Sequence, residues 1–477
     1  MVTLSPATTN HPCLSYFYSM ENIIQQLQIM QGYFNSGATR TYEFRKQNLE
    51  ALSKATLNYE AELTQALYDD LKKSPEESWV TEIGFLLAEI RHTLKHLSYW
   101  MKPERVATNL LNFPSKSFLY KEPLGVVLII APWNYPFQLL LAPLVGAIAA
   151  GNCVVLKPSE AAAATADVMR KMLKEIFSEN YILYVEGNGA DVVPQMMNNF
   201  RFDHVFYTGS TGVGKIIYEM AAKKLTPVTL ELGGKSPCIV ESDADIKVAA
   251  RRIAMTKFSN AGQMCVAPDY VLVHSGVKES FVIAMKAAIK EFFTGDASAS
   301  YNYGKIINER SFDRLLAYLK EGTLLYGGRH DAVSLYIEPT LLENISVESA
   351  VMGEEIFGPL LPIIPFTHFE EAKAIINKNP APLAFYVFTS SLKKEEQWIA
   401  EIPFGGGCVN NASWHLTNFN LPFGGRGASG IGAYHGKYSF AVFSHQKAVM
   451  KTPTWFDPKI KYPPFKGKLK WFKRIIR

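Results

Sequence analysis

Three side chains, far apart along the chain, have the types needed for acyl chemistry on a carbonyl carbon. Cys265 sits in Phe258-Ser-Asn-Ala-Gly-Gln-Met-Cys-Val266, Glu231 opens Glu231-Leu-Gly-Gly-Lys235, and Asn134 lies in Pro132-Trp-Asn-Tyr-Pro136. A cysteine attacks as its thiolate, so it needs a partly wet, electropositive or base-assisted setting. A carboxylate can serve as the base and a side-chain amide as an oxyanion donor. Gly262, shortly before the thiol, permits close backbone approach, and Ser259, Asn260 and Gln263 suit a pocket wall better than a core. An isolated cysteine is more often a small buried apolar residue. The Gly- and Pro-flanked company of Cys265 favours instead an enzyme that acylates its own cysteine.

Such side chains must be carried by rigid elements, and the pattern around them is α/β. Residues 21–101 show apolar positions at helical spacing among Lys, Glu and Gln, for example Leu49, Leu52, Ala55, Tyr59 and Leu63. Between Glu122 and Lys157 no residue is charged. A membrane span is rejected for that run because Pro132–Pro136 breaks it; it parses as a buried strand (Val126–Ile130), a loop, a helix (Phe137–Ala149) and a second strand (Cys153–Leu156). The alternation continues with strands at Ile182–Val185, His204–Tyr207 and Val228–Leu230, the mark of a parallel, doubly wound sheet. It restarts with strand Cys238–Val240, helix Ala244–Asn260 and strand Tyr270–His274. The reading is a second α/β domain with its hinge near Gly233-Gly234 and the site in the crevice between the two. Lys116–Leu124 reads as an exposed strand able to pair with another subunit.

A dinucleotide needs a strand, a Gly-rich turn and a helix N-terminus. Gly425-Arg-Gly427-Ala-Ser-Gly430 fits the GxGxxG spacing, but no buried strand precedes it, so it reads as a structural loop. Gly209-Ser210-Thr-Gly-Val-Gly214 follows a strand and opens a helix, and is the better phosphate turn. Lys157 and Glu160, in Lys157-Pro-Ser-Glu160, end a strand where cofactors sit; Lys157 can bond ribose or phosphate oxygens and Glu160 a ribose hydroxyl.

Composition narrows the classes. At 477 residues, 48% hydrophobic and 19% charged, the chain is globular and expected to form two to three domains. Its five cysteines are dispersed without a CxxC pair, which argues against structural zinc and disulfides and fits a reducing cytoplasm; no metal cluster is apparent. Eight basic residues and one aspartate fall in 457–477, a local +7 against +5 for the chain, which leaves −2 elsewhere and no case for nucleic-acid binding. No Lys or Arg precedes Arg40, so a signal peptide's basic region is lacking; residues 1–20 read as a loose extension with Met20 an alternative start.

The order of six motifs resembles the aldehyde dehydrogenase superfamily: Pro132–Pro136, Lys157–Glu160, Phe206-Tyr-Thr-Gly-Ser-Thr211, Glu231–Lys235, Gly262-Gln-Met-Cys265 and Glu355-Ile-Phe-Gly-Pro359. The similarity runs from about Glu21 to Met450. The segment Leu421–Gly436 and the tail around Tyr462-Pro-Pro464 are most similar to its class 3 branch, which is dimeric and acts on fatty or aromatic aldehydes. The resemblance implies Cys265 as nucleophile, Glu231 as base and Asn134 as oxyanion donor. It further implies NAD, or NADP, contacted by Lys157, Glu160, Gly209, Ser210, Glu355 and Phe357, with Trp133 flanking the adenosine side; Gly214 joins them from the phosphate turn.

The fold class expected is two doubly wound parallel-sheet domains plus a small oligomerisation element. Residues 21–105 and 124–231 would bind NAD(P), residues 232–410 would be the catalytic domain, and 106–123 with 411–477 would supply oligomerisation strands and the tail. The function expected is oxidation of a medium- or long-chain aliphatic or aromatic aldehyde by a cytoplasmic homodimer. Two rival readings are a CoA-acylating enzyme, against which Glu231 counts, and an inactive dinucleotide-binding structural protein. The amphipathic basic tail, residues 465–477, is expected to dock on a partner subunit in preference to an anionic membrane. His415 and His435 are expected to pack rather than to catalyse.

Overall fold

The computed structural model describes residues 20–476, so the expectation of a loose extension over 1–19 lies outside the described residues. Helices Tyr42–Asn58, Glu60–Leu71 and Gly84–Trp100 pack on the helices Pro136–Ala150 and Ala163–Ile176, burying stripes such as Leu49, Leu52 and Ala55, while Met20–Asn35 packs on helix Gly189–Asn199 and the strands Val126–Ile130 and Cys153–Lys157. A single turn of π-helix at Trp79–Ile83 breaks the run and turns Glu82 fully inward.

The first sheet has six strands in the order Gly430–Ile431, Val228–Glu231, His204–Thr208, Val126–Ile130, Cys153–Lys157, Ile182–Tyr184. Its centre is the charge-free run: both strands and the whole helix Pro136–Ala150 are buried, which leaves no place for a charge. Pro143 lies inside that helix without ending it. Gly151 closes the helix with φ +94, and Arg45 Nη1 donates to the buried carbonyl of Ala149 in its last turn at 3.0 Å. Among the described residues no helix is long and apolar enough to cross a membrane.

The second sheet has seven strands, ordered Thr323–Tyr326, Thr340–Glu343, Leu360–Phe366, Tyr270–His274, Pro237–Val240, Ala384–Phe388, Gly406–Val409. Both sheets are parallel apart from one antiparallel edge strand each, Gly430–Ile431 on the first and Thr323–Tyr326 on the second. An edge strand bonds on one side alone, so it can enter from either direction without a crossover helix. A separate antiparallel sheet joins Glu104–Val106, Lys116–Pro123 and Ser444–Lys451; the last two pair over eight residues, from Ser444 opposite Pro123 to Lys451 opposite Lys116. Gly425–Gly430 is a loop, as its sequence context implies. It also returns the chain to the first sheet, where the Ser429 carbonyl accepts from Leu232 N at 3.1 Å.

Candidate active site

The helix Ile246–Phe258, capped by Asp245, delivers the chain to the cysteine loop. Asn260, Ala261 and Gly262 then follow in left-handed conformation, with φ of 48, 50 and 76°. Such a run is unfavourable for residues with a Cβ, so the surroundings must hold it. Glu77 Oε1 accepts from Asn260 N at 2.7 Å and from Ser259 Oγ at 2.8 Å. Gln263 donates to Lys305 O at 2.9 Å, and its Oε1 accepts from Ile307 N at 3.0 Å. Gly262 rests on the Gly358 carbonyl, which would stand 2.2 Å from an added Cβ. Cys265 emerges from this clamp half-buried, on the wall of a cleft of about 590 Å³.

Asn134 reaches the same cleft from the loop after strand Val126–Ile130. Its Nδ2 donates to Gln263 O at 3.1 Å, which ties the two loops together and leaves a second N–H on that nitrogen. Its backbone carbonyl accepts from Lys73 Nζ at 3.0 Å and Asn260 Nδ2 at 2.9 Å. Lys73 is paired in the interior with Glu82 at 2.6 Å, and Glu82 Oε2 accepts from Phe137 N and Gln138 N at 3.1 and 2.9 Å. A carboxylate at the first turn of Pro136–Ala150 complements that helix's positive end.

Glu231 ends strand Val228–Glu231 and is 2% exposed. Among the described residues neither of its carboxylate oxygens has a hydrogen-bond partner, and burial pushes its pKa well above the usual carboxylate range. Burial also pushes the Cys265 thiol up, reinforced by Glu355 and then Glu231. Of the settings expected for a reactive thiol (partly wet, electropositive or base-assisted), the electropositive one is not what bears on this sulfur: the charged groups named beside it are the acids Glu355 and Glu231.

Glu355 and Phe357 line the cleft with Cys265, and the Glu355 carboxyl lies over Gly233, where an added Cβ would be 2.0 Å from Oε2. Trp133 meets Phe357 edge-on at 5.4 Å in this cleft. That places Trp133 beside the cysteine, not on the side of Lys157 and Glu160. Gly209 and Ser210 line the cleft, and Ser210 Oγ caps helix Thr211–Ala222 by accepting from Val213 N. Gly214 is not brought there: it is buried in that helix, where a Cβ would lie 2.5 Å from Leu232 Cδ2, so its smallness serves packing.

Lys157 and Glu160 line a second hollow of about 660 Å³ with Gly187 and Asn188. Lys157 Nζ donates to Pro158 O at 2.6 Å and to Glu160 Oε2 at 3.2 Å, and Glu160 Oε1 accepts from Gly189 N. Both hollows lie at C-terminal strand ends, where an open sheet takes a dinucleotide. The residues fit one: the first-turn N–H groups of helix Thr211–Ala222 suit a diphosphate, and nothing stands within 4 Å of where a Cβ at Gly212 would be.

Several residues at the site gave no sequence signal. Arg314 lines the cleft from an amphipathic helix and donates to the carbonyls of Glu355 and Ile356 at 3.2 and 2.9 Å. Ala428 and Ser429, from the loop set aside as structural, form part of the cleft wall. The ion pair of Lys235 with Asp269 could be found in part, since Lys235 ends a motif already singled out. His435 is buried and stacked on Tyr434 at 4.2 Å, and His415 lies 3.6 Å from Cys408 Sγ with burial pushing its pKa down to about 4; neither lines the cleft.

Comparison with known proteins matches residues 1–449 to the model of the aldehyde dehydrogenase family. The chain is 46% identical over 459 residues to 4,4'-diaponeurosporen-aldehyde dehydrogenase of Staphylococcus aureus (strain NCTC 8325 / PS 47), covering 96% of this chain and 100% of that protein. It is 43% identical over 452 residues to the rat (Rattus norvegicus) aldehyde dehydrogenase, dimeric NADP-preferring, covering 94% and 99%. Among solved structures it superposes on the substrate-bound state of Staphylococcus aureus AldH with a TM-score of 0.93 at 45% identity, covering 95% and 99% of the two chains.

Proposed function

The chain belongs to the aldehyde dehydrogenase family, and from that premise we propose that Cys265, Glu231 and Asn134 carry its NAD(P)-dependent oxidation of an aldehyde to a carboxylic acid. Cys265 Sγ, its proton passed to solvent, bonds as the thiolate to the aldehyde carbon. The thiohemiacetal oxygen takes hydrogen bonds from the second N–H of Asn134 Nδ2 and from the Cys265 backbone N–H. A nicotinamide held there would supply the hydride acceptor that turns the thiohemiacetal into a thioester on Cys265. Glu231 then takes a proton from the water that hydrolyses the thioester. Glu355 and Phe357 would hold the nicotinamide end, the Gly209–Ser210 turn the diphosphate, and Lys157 with Glu160 the adenosine ribose.

The observation that carries this reading is the unpartnered Glu231 carboxyl, buried in the cleft that Cys265 and Asn134 also line. A buried polar group left without a partner is costly to stability. Burial raises the pKa of Glu231, which makes its carboxylate a stronger base for the water that discharges a thioester. Steady formation of NAD(P)H from aldehyde without CoA tests it; turnover that stops after one equivalent until CoA is added would favour the acylating alternative.

The substrate is a medium- or long-chain aliphatic or aromatic aldehyde, in keeping with the 4,4'-diaponeurosporen-aldehyde named for the Staphylococcus aureus relative. NAD is preferred, because Glu160 opposes a 2′-phosphate, although the rat relative is NADP-preferring. A panel of aldehydes of rising chain length, assayed with each nicotinamide, tests both. The protein works as a homodimer in the cytoplasm. Among the described residues the strand Ser444–Lys451 leaves one edge without a strand partner, a surface that a second copy can extend. The basic tail docks on the partner subunit, and deleting residues 465–477 should then lower the subunit mass without changing liposome co-sedimentation.

A further inference from the structure

Tyr386 lies in the middle of strand Ala384–Phe388, which is paired on both sides: Tyr386 stands opposite Cys238 of Pro237–Val240 and opposite Cys408 of Gly406–Val409. Its side chain is fully buried and does not line the cleft. A phenylalanine fills such a place without a polar atom, so the hydroxyl there needs a partner. It has one: Tyr386 Oη donates to the carbonyl oxygen of Val266, the residue after Cys265, at 2.6 Å. The mechanism above gives that bond no task.

Cys265 and Val266 are the two central residues of a tight turn, closed by Ala267 N donating to Met264 O at 3.0 Å. The chain before this turn is held several times over. Gln263 O accepts from Asn134 Nδ2 at 3.1 Å and from Asn260 Nδ2 at 3.2 Å, and the Gln263 side chain is bonded to Lys305 O and Ile307 N. The chain after it has less to hold it. Pro268 has no N–H to give, and the next backbone tie is Asp269 N to Ser236 O at 2.8 Å. Among the described residues, Tyr386 is the one side chain that hydrogen-bonds to residues 264–267. Its bond therefore joins the corner of the nucleophile's turn to a strand that neighbours fix on both sides.

We propose that Tyr386 is a positioning residue for Cys265: its hydroxyl anchors the Val266 carbonyl to the second sheet and so fixes the turn on which the sulfur and the Cys265 backbone N–H approach the aldehyde. This rests on the reading of Cys265 as the nucleophile. The sulfur must reach the carbonyl carbon while two donors meet the same oxygen, and the second donor, Asn134, comes from a loop of the first sheet. A turn anchored on its leading side alone is free to pivot about Gln263, and the Cys265 N–H then loses its convergence with the Asn134 amide. Tyr386 is set back from the cleft and touches neither aldehyde nor cofactor, so the binding of both is indifferent to its hydroxyl.

The test is single-turnover formation of NAD(P)H, with enzyme in excess over a long-chain aldehyde and NAD or NADP saturating, for wild type, Tyr386→Phe and Thr39→Val. Thr39 supplies the control. It is fully buried, its Oγ1 donates to Gly151 O at 2.7 Å, and Gly151 precedes strand Cys153–Lys157, at the end of the sheet opposite the cleft. Each substitution takes a hydroxyl away from a buried carbonyl, so both should lower the melting temperature. Tyr386→Phe should in addition slow the single turnover about tenfold, with the KM for aldehyde and the dissociation constant for NAD(P)H within about twofold of wild type. Thr39→Val should turn over at the wild-type rate. Hydrogen exchange should find the Ala267 amide, which closes the turn, less protected in Tyr386→Phe alone. A Tyr386→Phe protein that melts early yet turns over at the wild-type rate, or whose loss lies in KM or in cofactor affinity, overturns the proposal and makes Tyr386 a packing residue. NAD(P)H formed by Cys265→Ala at the wild-type rate refutes the reading of Cys265 itself, and the proposal with it. Should Tyr386→Phe fail to fold, Tyr386→Met removes the same donor and is read by the same split.

Discussion

Replacing Gly262 by alanine tests whether the backbone turn before Cys265 is what aims the sulfur. Gly262 has φ +76, and an added methyl carbon would stand 2.2 Å from the Gly358 carbonyl oxygen. Ordinary contact begins at 3.4 Å, so one side must retreat by about 1.2 Å. Left-handed alanine costs about 1–2 kcal/mol, and overpacking adds about 1–3 kcal/mol. Gly295 supplies the control: its φ is +83 and nothing lies within 4 Å of its missing Cβ, so Gly295→Ala carries the conformational cost alone. A reacting atom moved by about 1 Å loses about 10²-fold in rate. Gly262→Ala should therefore lower kcat/KM by about 10²-fold and melt earlier than Gly295→Ala, which should keep near-normal turnover. Initial-rate kinetics and thermal melting of the three proteins decide it. Turnover by Gly262→Ala within about threefold of wild type would refute the argument that this contact sets the position of Cys265.

Other expectations follow from the same geometry. Asn134→Ala should reduce kcat by about 10²–10³-fold while leaving the dissociation constant for NADH unchanged, read by stopped-flow and by fluorescence titration. Lys73→Met leaves Glu82 buried without its partner and should cost about 3–5 kcal/mol, whereas Lys73→Met/Glu82→Gln should recover most of that in a melting experiment. Glu231 has a folded pKa raised above its ordinary 4.5, so above that pH the folded chain binds the extra proton and stability declines as pH rises. The melting temperature of Glu231→Gln relative to wild type should accordingly climb from about pH 5 to about pH 8, and an offset that does not change with pH would contradict the raised pKa of Glu231.

Much of this site was readable along the chain because its signals are local. The charge-free run between Glu122 and Lys157 announces a strand, helix and strand covered on both faces, and all three are buried. The turn Gly209–Gly214 shows itself by its place between strand and helix, yet only packing reveals that Gly214 serves contact with Leu232. Pairings between remote segments leave no periodic trace. Ser444–Lys451 joins Lys116–Pro123 from more than 300 residues away, and Gly430–Ile431 returns to the edge beside Glu231. The setting of Cys265 was equally hidden, since it depends on Glu231 and Glu355 arriving from separate elements. Arg314 and Lys257 look like ordinary charged positions on helices, and only tertiary packing brings the first to the cleft and buries the second.

The most direct test of the central claim is to look for the acyl group itself. Glu231→Gln protein, mixed with a long-chain aldehyde and NAD or NADP and quenched within seconds, should gain the mass of one acyl group, located by peptide mapping on Cys265, while Cys265→Ala gains none and produces no NAD(P)H. An acyl group on another residue, or NAD(P)H formed by Cys265→Ala at the wild-type rate, would contradict the account.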